Sequence, residues 1–211
     1  MLYIIPTPIG NLKDITLRAI ETLSSCDYIL CEDTRHSSIL LNHYEIKKPL
    51  KSYHQFNESS KLNEILDDLR NGKNIALISD CGTPGICDPG SILIKACREI
   101  DLPITSLPGP CALITAFSLS GSQEGQFQFL GFFPRKNKEI YEYLLRITNF
   151  QGVSIFYESP LRILETLNIF QKVLPDAKIQ VTRELTKNFE EKIKGTAEEI
   201  IHHLNAHVVK G

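Results

Sequence analysis

The chain has 211 residues, 42% of them hydrophobic and 23% charged, with a formal net charge of −2. These values belong to a globular protein with a full core, built as one large domain or two small ones, and they exclude disordered and fibrous classes. They also exclude a generally basic nucleic-acid binder and leave only local patches of Lys and Arg for contact with phosphate.

Residues 2–5 form a compact apolar run with no basic segment before it, too short for a signal peptide. No stretch approaches the ~18 apolar residues of a membrane span, so a cytoplasmic protein is expected. The six cysteines lack any Cys-x-x-Cys and sit beside no zinc-spaced His pair, so reduced thiols and no metal are expected.

Residues 2–5 read as a central strand, ended by Pro6-Thr7-Pro8-Ile9-Gly10-Asn11, whose single glycine does not make a Gly-x-Gly-x-x-Gly dinucleotide turn. A helix is predicted over 15–24, with Asp14 as its N-cap and Leu17, Ile20 and Leu23 on one face. Residues 28–31 read as a second buried strand that delivers Glu32-Asp33-Thr34-Arg35 at its carboxyl end. That tetrad fits either a functional site or a helix N-cap with a surface ion pair. A helix over 37–44, a strand over 50–53 and a loop over 54–57 follow. Leu62, Ile65, Leu66 and Leu69 then mark an amphipathic helix closed by Gly72.

The apolar run 75–78 leads into Ser79-Asp80-Cys81-Gly82-Thr83-Pro84-Gly85-Ile86-Cys87-Asp88-Pro89-Gly90 and then a helical pattern carrying Ile92, Leu93, Ala96, Cys97 and Ile100. A strand-to-helix turn so rich in glycine and proline exposes backbone N–H and C=O groups at the carboxyl end of a strand, where ligands bind in open α/β sheets. Residues 104–107 repeat the pattern, closed by Pro108-Gly109-Pro110-Cys111-Ala112. Strand and helix alternate to about residue 115, the signature of a mostly parallel sheet with helices on both faces.

Ser120 to Gln126 is the linker candidate, and the predicted domains are residues 1–117 and 118–211, both α/β. The aromatic run 127–133 predicts a strand in a sheet buried on both faces. Arg135-Lys136-Asn137-Lys138 is the densest basic cluster, either a solvated loop or a phosphate contact. A helix with Ile140, Leu144 and Ile147 leads to a strand over 153–157 and to Tyr157-Glu158-Ser159-Pro160, with Pro160 expected at the first position of the next helix, which carries Leu161, Leu164 and Leu167. A strand over 178–182 runs into Arg183-Glu184-Leu185-Thr186-Lys187, and Thr196-Ala197-Glu198-Glu199 is a capping box before Ile200 and Leu204.

Eight of these stretches together carry a resemblance. They are the Thr7-Pro-Ile-Gly-Asn-Leu run, Glu32-Asp-Thr-Arg, His54-x-x-Asn57, Ser79 to Gly90, Pro108-Gly-Pro, Gly131-Phe-x-Pro-x-Lys, Tyr157-Glu-Ser-Pro-x-Arg and Arg183-Glu-Leu-Thr-Lys-x-x-Glu-Glu. In this order and spacing the chain resembles the tetrapyrrole methylases, a class of S-adenosylmethionine-dependent methyltransferases. Within it the chain is similar to the branch that 2′-O-methylates a cytidine of 16S rRNA in the small ribosomal subunit, cytidine 1402 in the family.

The resemblance implies two α/β domains, the second with a mixed sheet, a cofactor cleft between them, and a homodimer. It implies S-adenosyl-L-methionine bound by Pro8, Ile9 and Gly10, by Asp80, Cys81, Gly82, Thr83 and Pro84, and by Pro108, Gly109, Pro110 and Ala112. In the second domain it implies Tyr157, Glu158, Ser159, Pro160, Gly195 and Thr196. Cys81, Cys87 and Cys111 stand where the family usually has Ala or Ser, and Leu161 where it has His. The family also usually continues beyond Gly211 into a further strand, so the chain reads either as a short member or as a truncated one whose second sheet lacks an edge.

Methyl transfer from a sulfonium gains mostly from positioning, and a base to take the ribose proton adds roughly 10²–10⁴-fold. Asp33 or Glu184 is the expected base, with Arg35, Arg183 and Lys187 orienting ribose and phosphate. The low net charge favours an assembled particle over naked RNA as substrate. Two other functions compete. One is a methylase of porphyrin-like ring carbons, which has little need of the charged loops. The other is a cofactor- or RNA-binding module without catalysis.

Overall fold

The computed structural model describes residues 1–123 and 125–206. Glu124 of the predicted linker and the terminal Lys210-Gly211 lie outside the described residues. The chain divides into two compact units, one from Met1 to Cys111 and one from Ala112 onward.

The first unit is a five-stranded parallel sheet of β1 (Leu2–Ile5), β2 (Tyr28–Cys31), β3 (Leu50–Ser52), β4 (Ile75–Ile78) and β5 (Ile104–Ser106) in the order β3-β2-β4-β1-β5. Helices α1 (Leu17–Ser25), α2 (Thr34–His43), α3 (Glu58–Arg70) and α4 (Ser91–Glu99) cover it. Strand alternation sends Ile5, Ile29, Cys31, Ala76 and Ile78 to one face, where Ala19 and Leu23 of α1 and Leu40 and Leu41 of α2 pack on them. Leu2, Tyr28, Leu30, Ile75 and Leu77 point to the other, against Ile65, Leu66 and Leu69 of α3 and Leu93 and Cys97 of α4. Both faces are therefore dry, which is why β2 and β4 read as unbroken apolar runs.

Two helix starts of the first unit differ from expectation. The cap of α1 is Thr16, whose hydroxyl accepts from Ala19 N, while Asp14 sits in a preceding 3₁₀ turn capped by Asn11. Helix α2 begins at Thr34, because the Asp33 carboxylate accepts from Arg35 N and caps it there.

The second unit contains α5 (Ala112–Ser120), β6 (Phe127–Phe132), α6 (Asn137–Thr148), β7 (Val153–Tyr157), α7 (Ile163–Val173), β8 (Ile179–Arg183), β9 (Glu191–Gly195) and α8 (Ala197–Ala206). Among the described residues its strands form two ladders, β6 with β7 parallel and β8 with β9 antiparallel. Its core gathers Phe133, Tyr143, Leu144, Leu167, Phe170, Ile200 and Leu204. The aromatic run of β6 is not buried on both faces as expected, since Phe127 and Phe132 stay exposed at 37% and 59%.

Helix α7 starts at Ile163 rather than at Pro160. Residues 160–162 form a turn in which Ser159 O accepts from both Arg162 N and Ile163 N, and Leu161 points into solvent at 95% exposure. No described helix is long and apolar enough to cross a membrane.

Candidate methyl-donor site

Because β4, β1 and β5 are neighbours, the turns after them share one edge of the sheet. Hydrogen bonds stitch those turns together. Thr7 and Gly82 exchange two backbone bonds, Thr7 N to Gly82 O at 2.8 Å and Gly82 N to Thr7 O at 3.0 Å. The buried Thr7 hydroxyl donates to Ser79 O at 2.9 Å, and Ser79 Oγ donates to Gly82 O at 3.0 Å. Thr83 Oγ1 reaches across to Pro110 O at 3.0 Å. The predicted site stretches Pro8-Ile9-Gly10, Asp80 to Pro84 and Pro108-Gly109-Pro110 therefore meet within the first unit.

Two glycines let them meet. A Cβ on Gly109 would lie 2.9 Å from Pro6 Cβ, and one on Gly82 would lie 3.4 Å from Ile9 Cγ2. Gly82 also holds a φ of +84°, in the left-handed region that favours glycine. Thr7 and Pro6 complete this junction and were not among the predicted site residues. Their sequence signal is a place in the Pro-Thr-Pro turn, with Thr7 opening the Thr7-Pro-Ile-Gly-Asn-Leu run.

Acidic groups stand beside the junction. Asp33 N donates to Asp80 Oδ1 at 3.2 Å, tying the turn after β2 to the turn after β4. Burial pushes the Glu32 carboxyl above its usual range, with the charges of Asp80 and Asp88 adding to the effect. Burial likewise pushes Asp88 up. Asp33 goes the other way: hydrogen bonds from Arg35, side chain first and then backbone, hold it well below the usual carboxylate range. Its Oδ2 lies 2.7 Å from the largely exposed Arg35 guanidinium. A carboxylate so engaged makes a good cap and a poor proton acceptor.

In the second unit the Tyr157–Pro160 turn is held from inside. The Glu158 side chain is only 4% exposed, and its carboxylate accepts from Ser159 N, from Arg162 and from the Thr166 hydroxyl. Arg162 in turn donates to the carbonyls of Phe133 and Pro134. Glu158 thus shapes the turn rather than presenting its carboxylate outward. Tyr157 packs edge-on against Phe129 and Phe132.

Arg183 Nε is ion-paired with Glu191, which also pairs with His203 Nε2 at 2.7 Å. His203, with Arg183, keeps the Glu191 carboxyl below its usual range. Glu184 holds Lys187 at 2.8 Å. Both Glu184 and Thr186 adopt positive φ, 51° and 67°, a conformation that non-glycine residues keep only where the surroundings enforce it. Thr196 and Glu199 form the expected capping box, Thr196 N to Glu199 Oε2 at 2.8 Å, directly after the buried Gly195. Among the described residues no His, Cys, Asp and Glu group could hold a metal ion.

The family model for Tetrapyrrole (Corrin/Porphyrin) Methylases matches residues 1–201. The chain belongs to the tetrapyrrole methylase family. Among curated relatives, the ribosomal RNA small subunit methyltransferase I of Hydrogenobaculum sp. (strain Y04AAS1) is 48% identical over 204 residues, 96% of this chain and 88% of that one. The protein of that name from Bacillus subtilis (strain 168) is 46% identical over 211 residues, 100% of this chain and 72% of the relative.

Among solved structures, cobalt precorrin-4 methyltransferase superposes with a TM-score of 0.71 at 16% identity, covering 100% of this chain and 91% of that one. A diphthine synthase gives 0.73 at 11% identity, covering 95% and 83%. At such identities the likeness establishes the tetrapyrrole methylase fold. Membership of the methylase family, with its methyltransferase relatives, makes S-adenosyl-L-methionine the methyl donor.

Proposed function

We propose that this tetrapyrrole methylase is a 2′-O-ribose methyltransferase acting on a cytidine of 16S rRNA, the family's cytidine 1402, in the small ribosomal subunit. The observation that carries the substrate class is the 48% and 46% identity to ribosomal RNA small subunit methyltransferases over nearly the whole chain.

The chemistry of the first unit's junction suits the cofactor. Gly82 and Gly109 let the three turns close on one another, and Asp80, Asp88 and Glu32 beside them offer acceptors for ribose hydroxyls and an ammonium group. Pro8 to Gly10, Asp80 to Pro84 and Pro108 to Pro110 would hold it. Ala112, Tyr157, Ser159, Pro160, Gly195 and Thr196 are proposed as further contacts, with Glu158 shaping its turn. When bound, the donor supplies a methyl group on an already activated sulfonium and leaves as S-adenosyl-L-homocysteine.

The residues of this chain then have to orient a ribose and receive a proton. As the methyl carbon passes to the 2′ oxygen, its bond to sulfur breaks and the hydroxyl proton must leave. Glu184, which follows β8 in a left-handed conformation and is ion-paired with Lys187, is the proposed acceptor, because Asp33 accepts from both the guanidinium and the backbone N–H of Arg35 at the α2 N-terminus. Arg35, Arg183 and Lys187 would orient ribose and phosphate. A homodimer is the expected assembly.

The test is methyl transfer from labelled S-adenosyl-L-methionine into undermethylated small subunits and into deproteinised 16S rRNA. Label in the ribose of one cytidine, with particles preferred, is expected. Label on a base, or none despite cofactor binding, would overturn the reading. Glu184→Gln should lower kcat by about 10²-fold or more while S-adenosyl-L-homocysteine still binds.

A further inference from the structure

The loop between β8 and β9 carries a side chain that the proposed chemistry does not use. Phe189 is 83% exposed, although nothing in folding rewards leaving a phenyl ring in water. The loop beneath it is not slack. Lys187 N donates to Glu184 O at 3.0 Å, Glu190 N to Lys187 O at 3.2 Å, and Thr186 N to Glu190 Oε2 at 2.7 Å. Lys187 is tied to Glu184, and Lys192 to Glu190 at 2.8 Å. With Glu184 and Thr186 both left-handed, the backbone is folded back on itself and fixed before any partner arrives.

Along the chain the loop is charged on both sides of Phe189. Arg183 and Lys187 precede it, and β9 then places Lys192 and Lys194 on its exposed face, with Glu184, Glu190 and Glu191 as the acidic counterparts. A rigid aromatic platform flanked by cations is the arrangement that receives an unpaired base, with the ring taking the base's π-face and the cations its phosphates.

We propose that Phe189 stacks on an unpaired base of the rRNA substrate next to the target nucleotide, and so positions the target for methylation. This inference rests on the rRNA reading given above. It adds a contact to the RNA, distinct from the methyl-donor junction in the first unit.

The test compares wild type with Phe189→Ala, Phe189→Leu and Phe189→Trp, measuring KM and kcat for undermethylated small subunits, affinity for S-adenosyl-L-homocysteine, and sedimentation. Phe189→Ala should raise KM about five- to 150-fold, the ~1–3 kcal/mol of one stacked base converted at 1.4 kcal/mol per tenfold. Phe189→Leu should resemble it, Phe189→Trp should remain near wild type, and cofactor affinity and sedimentation should not move. An unchanged KM in Phe189→Ala, or full rescue by Leu, would overturn the stacking role while leaving the rRNA reading intact. A fall in cofactor affinity, or a change in oligomeric state, would overturn it too, since the ring would then serve the donor site or a second copy of this chain. Wild type that puts no label into small subunits would overturn both readings together.

Discussion

Asp88 sits half-buried in the loop after β4, and burial together with the nearby Asp80 charge raises its carboxyl above the ordinary 3.8. A raised acid in the folded state means that ionisation is disfavoured there relative to the unfolded chain. The resulting penalty is absent below about pH 3.8, sets in as pH rises through that value, and is complete above the folded-state pKa. Asp88→Asn removes it. The variant's melting temperature relative to wild type should therefore climb between pH 4 and pH 7, and a difference that stays constant with pH would contradict the assignment. Asp33 is the opposite case, committed to Arg35 and to the start of α2. The sequence shows both aspartates only as acids in the turns that follow buried strands, and burial on one side and the Arg35 hydrogen bonds on the other separate them.

At the scale of elements, the site depends on how closely three turns approach. Gly109→Ala places a Cβ 2.9 Å from Pro6 Cβ, a contact between two backbone-anchored groups that cannot rotate away. Separating the turns should cost roughly 1–3 kcal/mol of stability and weaken S-adenosyl-L-homocysteine binding; thermal melting and calorimetry read the two effects. Unchanged values for both would show that the turn after β5 has slack. Gly72, whose added Cβ meets nothing within 4 Å, is the control for glycine loss far from the junction, carrying only the strain of its φ of +84°.

The strands and turns of this region were legible in the sequence because short apolar runs with breakers at their ends admit few other readings. Helix starts were less so. Asp14 and Thr16 are both good caps, and the 3₁₀ turn set by Asn11 decides between them. Pro160 is suited to a helix start, yet the Ser159 hydrogen bonds and the buried Glu158–Arg162 pair set the turn that delays α7 to Ile163.

For the whole molecule, the order β3-β2-β4-β1-β5 is what converts sequence motifs into a site. It brings the turn after the first strand between those after the fourth and fifth, though more than sixty residues separate them in the chain. No local pattern encodes that adjacency, so the motifs could be read individually while the junction at Thr7 and Pro6 could not. The second unit was harder to read, since two-stranded ladders leave aromatic strands half-exposed and blur the pattern of burial. The donor is proposed to bind where the three turns meet. Backbone hydrogen exchange with and without S-adenosyl-L-homocysteine tests it directly. Slowed exchange in residues 7–12, 79–85 and 107–113 is the predicted result, and binding that protects other segments while leaving these three unchanged would contradict the account.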